Sequence, residues 1–379
     1  MSQELKESLN HPLHVCGGCN AKMPPDALSR LLKSLPRSQN PDPHLLTGYE
    51  NADDAAVYEV APGLSLVQSV DFFPPFIADP EIFGRVCAVH ALSDLYAMGA
   101  KPTLALSILC WPQKEDEKTL AQMLQAAASV FVEQNVSLAG GHSIHDPKPK
   151  LGFCVTGLVP TEQILYNHGA KAGDHLILTK ALGVGLLSAA QVADALPKDA
   201  QEALYDELLK LNAKAAFLAH DFGVHAATDV TGFGLIGHAL EMLGMSDTTS
   251  FERSIDPPSH TKESAQVNKN AEPKLRLELF IHKIPLLPYV REAIAQCFLT
   301  AGLLRNEKNY SPYLSFRHAD HPLRPLLFDP QTSGGLLLAV AEDRAEKLLS
   351  QLKENGYHAA DIGRFLPVAS SRESLIHLL

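Results

Sequence analysis

Residues 54–110, DAAVYEVAPGLSLVQSVDFFPPFIADPEIFGRVCAVHALSDLYAMGAKPTLALSILC, decide the fold. AAVYEV and SLVQSVD alternate apolar and polar side chains over a few residues, the pattern of strands. Asp79-Pro80 then opens a helix, with Asp79 as its cap and Pro80 in the first turn, where proline loses no hydrogen bond. That helix runs through EIFGRVCAVHALSDLYAM and stops at Gly99, and LALSILC is the next strand. Working outward, KTLAQMLQAAASVFVEQ reads as a helix, and VSLAGG and GFCVTGLV read as strands. The order ββαβαββ makes an α+β unit ending near residue 160.

Beyond the turn GAKAGD, HLILTK begins a second unit. Helices are expected at 185–195, 201–219, 234–243 and 288–300. Strands are expected at LRLELFI and GGLLLAVA, and a last helix at DRAEKLLSQLKENG. Before residue 54 the reading is a mobile arm over residues 1–23, an amphipathic helix opened by Pro24-Pro25-Asp26 with Leu28, Leu31, Leu32 and Leu35 on one face, and a Pro-rich loop over 36–50. Residues 245–273 are polar and nearly free of large apolar side chains, which reads as a surface insertion.

The chain has 379 residues, enough for about two domains, and 46 % hydrophobic residues, enough for a full core. Its formal net charge of −11 argues against a nucleic-acid or anionic-membrane binder, while clustered carboxylates remain able to meet phosphates through Mg²⁺. No apolar run reaches the ~20 residues of a membrane span, and the polar MSQELKESLNHP does not read as a signal peptide. Of the six cysteines (Cys16, Cys19, Cys87, Cys110, Cys154 and Cys297) only the first two are close together, and the four scattered ones read as buried thiols of a cytosolic protein, not a disulfide framework.

Four sets of residues can carry chemistry. His11, His14, Cys16 and Cys19 could hold Zn²⁺, but structural zinc sites usually draw ligand pairs from two separate loops, and Lys22 stands just beyond. Alternatively Cys19-Asn20-Ala21-Lys22 puts an ammonium three residues from a thiol, which favours a reactive thiolate; spacing alone does not separate this from an exposed cysteine on a tail. Asp53, Asp54, Asp71, Asp94 and Asp229 each stand in apolar surroundings. One such residue is usually a cap or a turn, whereas several suggest a shared hard cation such as Mg²⁺ with a phosphate ligand. The turns Gly140-Gly141-His142-Ser143, Gly183-Val184-Gly185 and Thr332-Ser333-Gly334-Gly335 could aim N–H groups at phosphate, although most such turns are only turns. Gly232-Phe233-Gly234-Leu235-Ile236-Gly237 matches the dinucleotide fingerprint literally, but no acidic strand end follows, so a tightly packed helix start is the better reading. A P-loop, a kinase signature and a nucleophile elbow are absent from the sequence.

The stretches CGGCNAK, NADDAAVY, SVDFF, ALSDLYAMGAKP, LAGGHS, VTGLVPTE, GDHLILTKALGVG, TDVTGFGLIGH and DPQTSGGLLLAV, in this order over residues 16–340, resemble the selenide, water dikinase (selenophosphate synthetase) family. The wider superfamily of aminoimidazole ribonucleotide synthetase-like ATP enzymes shares the plan but not the arm. The resemblance implies a two-domain α+β fold whose N-terminal domains pair in a β-barrel homodimer. It implies an arm and helix over 1–46, an ATP- and Mg²⁺-binding domain over 47–160 and a C-terminal domain over 161–379. It further implies that ATP, selenide and water give selenophosphate, AMP and orthophosphate. Cys19 and Lys22 are then catalytic, and Asp54, Asp94 and Asp229 hold Mg²⁺. Lys22, Asn51, Ala52, Asp53, Asp71, Asp94, Gly141, His142 and Ser143 meet the nucleotide. The sequence departs from the family pattern at His90, where many members have Asn, at Asn20-Ala21, which replaces a second thiol before Lys22, and in the long 245–273 segment.

Overall fold

A computed structural model describes residues 18–22, 31–32, 34–36, 42–48, 53–114, 116–245, 275–316, 320–368 and 374–379. The helix expected from Asp26 lies mostly outside them, as do Cys16, Asn51, Ala52 and nearly all of the 245–273 segment.

The N-terminal sheet has six strands, β1 (Leu45–Thr47), β2 (Ala56–Ala61), β3 (Leu64–Phe73), β4 (Lys101–Trp111), β5 (Ser137–His145) and β6 (Lys150–Pro160), in the order β1-β2-β3-β6-β4-β5. The expected ββαβαββ order holds from residue 56 to 160, and β1 adds a short edge strand inside the segment expected to be loop. Helices α1 (Pro80–Ala97) and α2 (Glu117–Glu133) pack together on one face of the sheet. Asp79 caps α1 as anticipated, its Oδ1 accepting the N–H groups of Glu81 and Ile82 at 2.8 and 3.0 Å. Alternation in β3 turns Val67, Ser69, Asp71 and Phe73 toward the helices, and turns Gln68, Val70 and Phe72 away from them.

The C-terminal sheet is mixed, in the order β10-β13-β9-β12-β7-β11-β8. Its strands are β7 (His175–Leu178), β8 (Ala226–Asp229), β9 (Leu275–Leu279), β10 (Leu314–Phe316), β11 (Leu336–Val340), β12 (Ala360–Pro367) and β13 (Ile376–Leu378). The middle strands β7 and β11 are buried along their whole length, so they read as apolar runs without alternation. The helices around this sheet are α3 (Val184–Val192), α4 (Lys198–Leu209), α5 (Ala213–Asp221), α6 (Gly234–Met242), α7 (Val290–Ala295), α8 (Ala301–Tyr310) and α9 (Glu342–Glu354).

Two helix expectations need correction. The single helix over 201–219 is two, α4 and α5, because Asn212 between them turns its side chain inward, its Nδ2 donating to Ser93 Oγ and to the Gly334 carbonyl at 2.9 Å each. The helix over 288–300 is only the short α7, and a second helix, α8, starts at the Thr300 cap, whose Oγ1 accepts the Leu303 N–H. The glycine fingerprint at 232–237 behaves as a packed helix start: Gly234 opens α6 at φ +70°, and a Cβ there would meet the Phe328 carbonyl carbon at 2.8 Å.

Candidate active site

The site lies where α1 and β3 of the first sheet meet β8 and the 329–335 loop of the second. Asp54 stands just before β2, Asp71 near the end of β3, Asp94 in the last turn of α1 and Asp229 at the end of β8. A neighbouring hydroxyl holds each of three carboxylates. Thr228 Oγ1 donates to Asp54 Oδ1 at 2.9 Å, Ser69 Oγ donates to Asp94, and Ser93 Oγ donates to Asp229 across the domain boundary. Thr228 and Ser93 therefore knit the two halves through residues adjacent to the aspartates themselves.

The crowding has an electrostatic consequence. Burial first, and then the charges of Asp229, Asp94 and Glu241, push the Asp54 carboxyl well above the usual carboxylate range. Burial and the charges of Asp71 and Asp229 do the same to Asp94. Asp71 goes the other way: burial opposes ionisation, but the Lys22 ammonium, above all, outweighs it and holds the carboxyl below its ordinary value. Lys22 Nζ lies 3.5 Å from Asp71 Oδ1, and His90 Nε2 lies 3.4 Å from Asp71 Oδ2.

The residues fit a divalent cation by one independent observation: Asp54 Oδ2 is enclosed and accepts no hydrogen bond. An oxygen left bare beside two other carboxylates calls for positive charge. Among the described residues no three His, Cys, Asp or Glu side chains converge as an ion cage.

The arm is seated. Residues Gly18–Ala21 form a single 3-10 turn against β3 and α8, and the Gly18 N–H donates to the Pro74 carbonyl at 3.4 Å. Gly18 has φ +59°, and a Cβ there would lie 2.5 Å from Thr332 Oγ1 and 3.2 Å from the Phe76 ring, so glycine is required for this approach. Cys19 belongs to this turn, three residues from Lys22, although its side chain lies outside the described set.

Other expected site residues are placed differently. Asp53 is fully enclosed, Oδ2 accepting from Thr47 Oγ1 at 2.6 Å and Oδ1 from the Asn167 N–H at 3.1 Å, with His168 Nδ1 at 3.7 Å. Its carboxylate thus ties β1 to the segment before β7. Gly141, His142 and Ser143 sit on the exposed edge strand β5. The register runs Asp71 to Phe153 to Ser107 to Gly141, so Gly141 is three strands, about 14 Å, from Asp71.

Motif residues whose role the sequence hid prove structural. Asp329 Oδ2 accepts the N–H groups of Gly185 and Leu186 at 3.0 and 3.2 Å, and Gln331 Oε1 accepts those of Gly183 and Val184 at 3.1 and 3.0 Å. The DPQ segment is a detached cap for α3, and the expected phosphate role of Gly183-Val184-Gly185 gives way to it. Burial raises Asp329 to about 7 despite those donors. Lys180, also fully buried, donates from Nζ to the Ser333 carbonyl at 2.8 Å, and burial lowers it to about 7.

Comparison with known proteins fits this geometry. The family model for the N-terminal domain of AIR synthase related proteins matches residues 52–159, and that for their C-terminal domain matches residues 171–375. The fold and the two matched domains thus define a two-domain protein of the AIR synthase-related class. The selenide, water dikinase of Desulfitobacterium hafniense (strain DSM 10664 / DCB-2) is 40 % identical over 354 residues, covering 93 % of this chain and 94 % of that one. The selenide, water dikinase of Rhizobium meliloti (strain 1021) is 40 % identical over 349 residues, covering 91 % and 92 %. The chain belongs to the selenide, water dikinase family. Among solved structures, thiamine-monophosphate kinase from Stenotrophomonas maltophilia K279a superposes with a TM-score of 0.59 at 18 % identity, covering 93 % of both chains. The hydrogenase maturation protein HypE in complex with ATP does so with a TM-score of 0.56 at 17 % identity, covering 93 % of this chain and 91 % of that one. These two likenesses establish the shared fold.

Proposed function

We propose that this chain makes selenophosphate from selenide, ATP and water, releasing AMP and orthophosphate and so supplying activated selenium for selenocysteine and selenouridine. The observation that carries the reading is the meeting of Asp54 and Asp94 with Asp229 from the other domain, beside a Lys22 already drawn onto Asp71. Asp54, Asp94 and Asp229 would hold Mg²⁺, which when bound neutralises charge on the polyphosphate and on the phosphoryl group in transfer. Lys22 leaves Asp71 for the phosphates as a point charge. Cys19 captures or delivers selenium, and selenide takes the terminal phosphoryl group. Water then cleaves the ADP left behind, giving AMP and orthophosphate. The Gly18–Ala21 turn, seated on Thr332 and Phe76, keeps stray water from the reacting groups between these steps.

Asn51, Ala52, Asp53, Asp71, Asp94, Gly141, His142 and Ser143 are the proposed nucleotide contacts, Asp53 through its backbone because both carboxylate oxygens are engaged. The same reading divides the chain into an arm over 1–46, a nucleotide unit over 47–160 and a C-terminal unit over 161–379, working as a cytoplasmic homodimer. An apolar outer sheet face supports the pairing: Val70 and Phe72 are 54 % and 50 % exposed, with Leu104 and Leu106 on β4 and Ile144 on β5 also exposed. No described helix is long and apolar enough to cross a membrane.

Anaerobic phosphorus NMR of protein, Mg-ATP and selenide tests the reaction. A selenophosphate resonance appearing with AMP and orthophosphate is expected. ADP as the final nucleotide, formed equally without selenide, would overturn it in favour of an aminoimidazole synthetase-like activity.

A further inference from the structure

His90 lies in the middle of α1, fully buried, and faces two ways. Its Nδ1 accepts the backbone N–H of Ser333 at 3.1 Å, from a loop 243 residues along the chain in the other domain. A ring nitrogen that accepts a backbone N–H holds no proton. The proton of the neutral ring is therefore on Nε2, 3.4 Å from Asp71 Oδ2. The Phe73 ring packs edge-on against the imidazole at 5.3 Å between centroids, fixing the ring plane.

The loop that His90 reads is itself tightly held. Ser333 has φ +56°, a left-handed conformation unusual outside glycine. Its N–H goes to His90, and its carbonyl accepts from Lys180 Nζ at 2.8 Å. The preceding Thr332 is the residue against which Gly18 of the arm is seated. One short loop thus touches the arm through Thr332 and Asp71 through Ser333 and His90, while Asp71 holds Lys22 of the same arm.

We propose that His90 is an interdomain positioning residue: it makes the Asp71–Lys22 pair conditional on the seating of the Thr332–Gly335 loop, so that domain contact and arm closure are read together. The proposal rests on the reading of Asp71 and Lys22 as nucleotide contacts. When the loop lifts, Nδ1 loses its donor, the ring is free to take the other tautomer, and the N–H that faces Asp71 is lost.

Two measurements test it. Nitrogen-15 NMR of histidine-labelled protein, the His90 signals identified by their loss in His90→Gln, should find Nδ1 unprotonated and Nε2 protonated at neutral pH. An Nδ1–H tautomer or an imidazolium would overturn the bridge without recourse to any variant's activity. Calorimetric binding of adenylyl-imidodiphosphate with Mg²⁺ then tests the coupling. His90→Phe, which keeps the aromatic packing, and Asp71→Asn should each weaken binding about 10-fold, as loss of an orienting partner does. The double variant should bind within about twofold of the weaker single one, because one residue acts through the other. His90→Gln, whose amide N–H reaches the Nε2 position, should recover most of the affinity. Additive losses, an unaffected His90→Phe, or a Gln variant as weak as Phe would each overturn the proposal. A parent protein that makes no selenophosphate would instead refute the functional reading, and the tautomer would still decide the bridge.

Discussion

At the residue scale the site keeps its carboxylates at a cost in stability. Asp54 and Asp94 hold protons in the folded chain that the unfolded chain releases above its ordinary carboxylate pKa of 3.8. The native state then binds more protons than the unfolded one, so stability falls as pH rises through and beyond that value. Metal-free protein should therefore melt at progressively lower temperature as the pH is raised above the ordinary carboxylate value, and Mg²⁺ with an ATP analogue should flatten the slope. Asp54→Asn should raise the melting temperature at the alkaline end and lower selenophosphate turnover by about 100-fold or more, the exchange of stability for activity common at charged sites. Thermal denaturation across pH, with turnover measured in parallel, checks both halves. Gly18→Ala should leave melting nearly unchanged but slow turnover, since its Cβ would strike Thr332 Oγ1 only when the arm is down.

At the element scale the DPQ segment decides how α3 begins. Among the described contacts, Asp329 and Gln331 together take four N–H groups at the start of that helix, which has no cap of its own because Gly183 precedes it. Asp329→Ala should cost about 1–3 kcal/mol in urea unfolding, the usual penalty for stranding buried donors. Asp329→Asn, which keeps an acceptor oxygen, should cost far less. The same element shows what the sequence made legible and what it did not. Helix α1 could be read to within a residue because Asp79, Pro80 and Gly99 mark its ends and depend on nothing distant. The break between α4 and α5 could not, because its cause is Asn212 reaching Ser93, 119 residues away. The aspartates were legible as polar residues stranded in apolar runs, and the family motifs sorted them. Their holders Thr228, Ser69 and Ser93 were not, since a hydroxyl beside an acid carries no signal until the fold brings the two together. The caps drawn from Asp329 and Gln331 were hidden for the same reason: the donors they serve lie about 145 residues earlier.

At the scale of the whole molecule, two sheets meet along a line of buried hydroxyl–carboxylate pairs, with the Gly18–Ala21 turn packed beside it. The outward face of the six-stranded sheet is a broad apolar surface carrying Val70 and Phe72 at its centre. Phe72→Glu should convert a dimer into a monomer in sedimentation velocity, because pairing two such faces would bury the new charge. A parent protein that sediments as a monomer would remove the dimer from the account. The central claim is that Asp54 and Asp94 from one domain and Asp229 from the other grip a single cation–triphosphate complex. Electron paramagnetic resonance of Mn²⁺ titrated into the protein with adenylyl-imidodiphosphate tests it most directly. The account predicts tight Mn²⁺ uptake by the parent that falls at least about 10-fold in Asp54→Asn, Asp94→Asn and Asp229→Asn alike. Undiminished uptake by folded Asp229→Asn would contradict it.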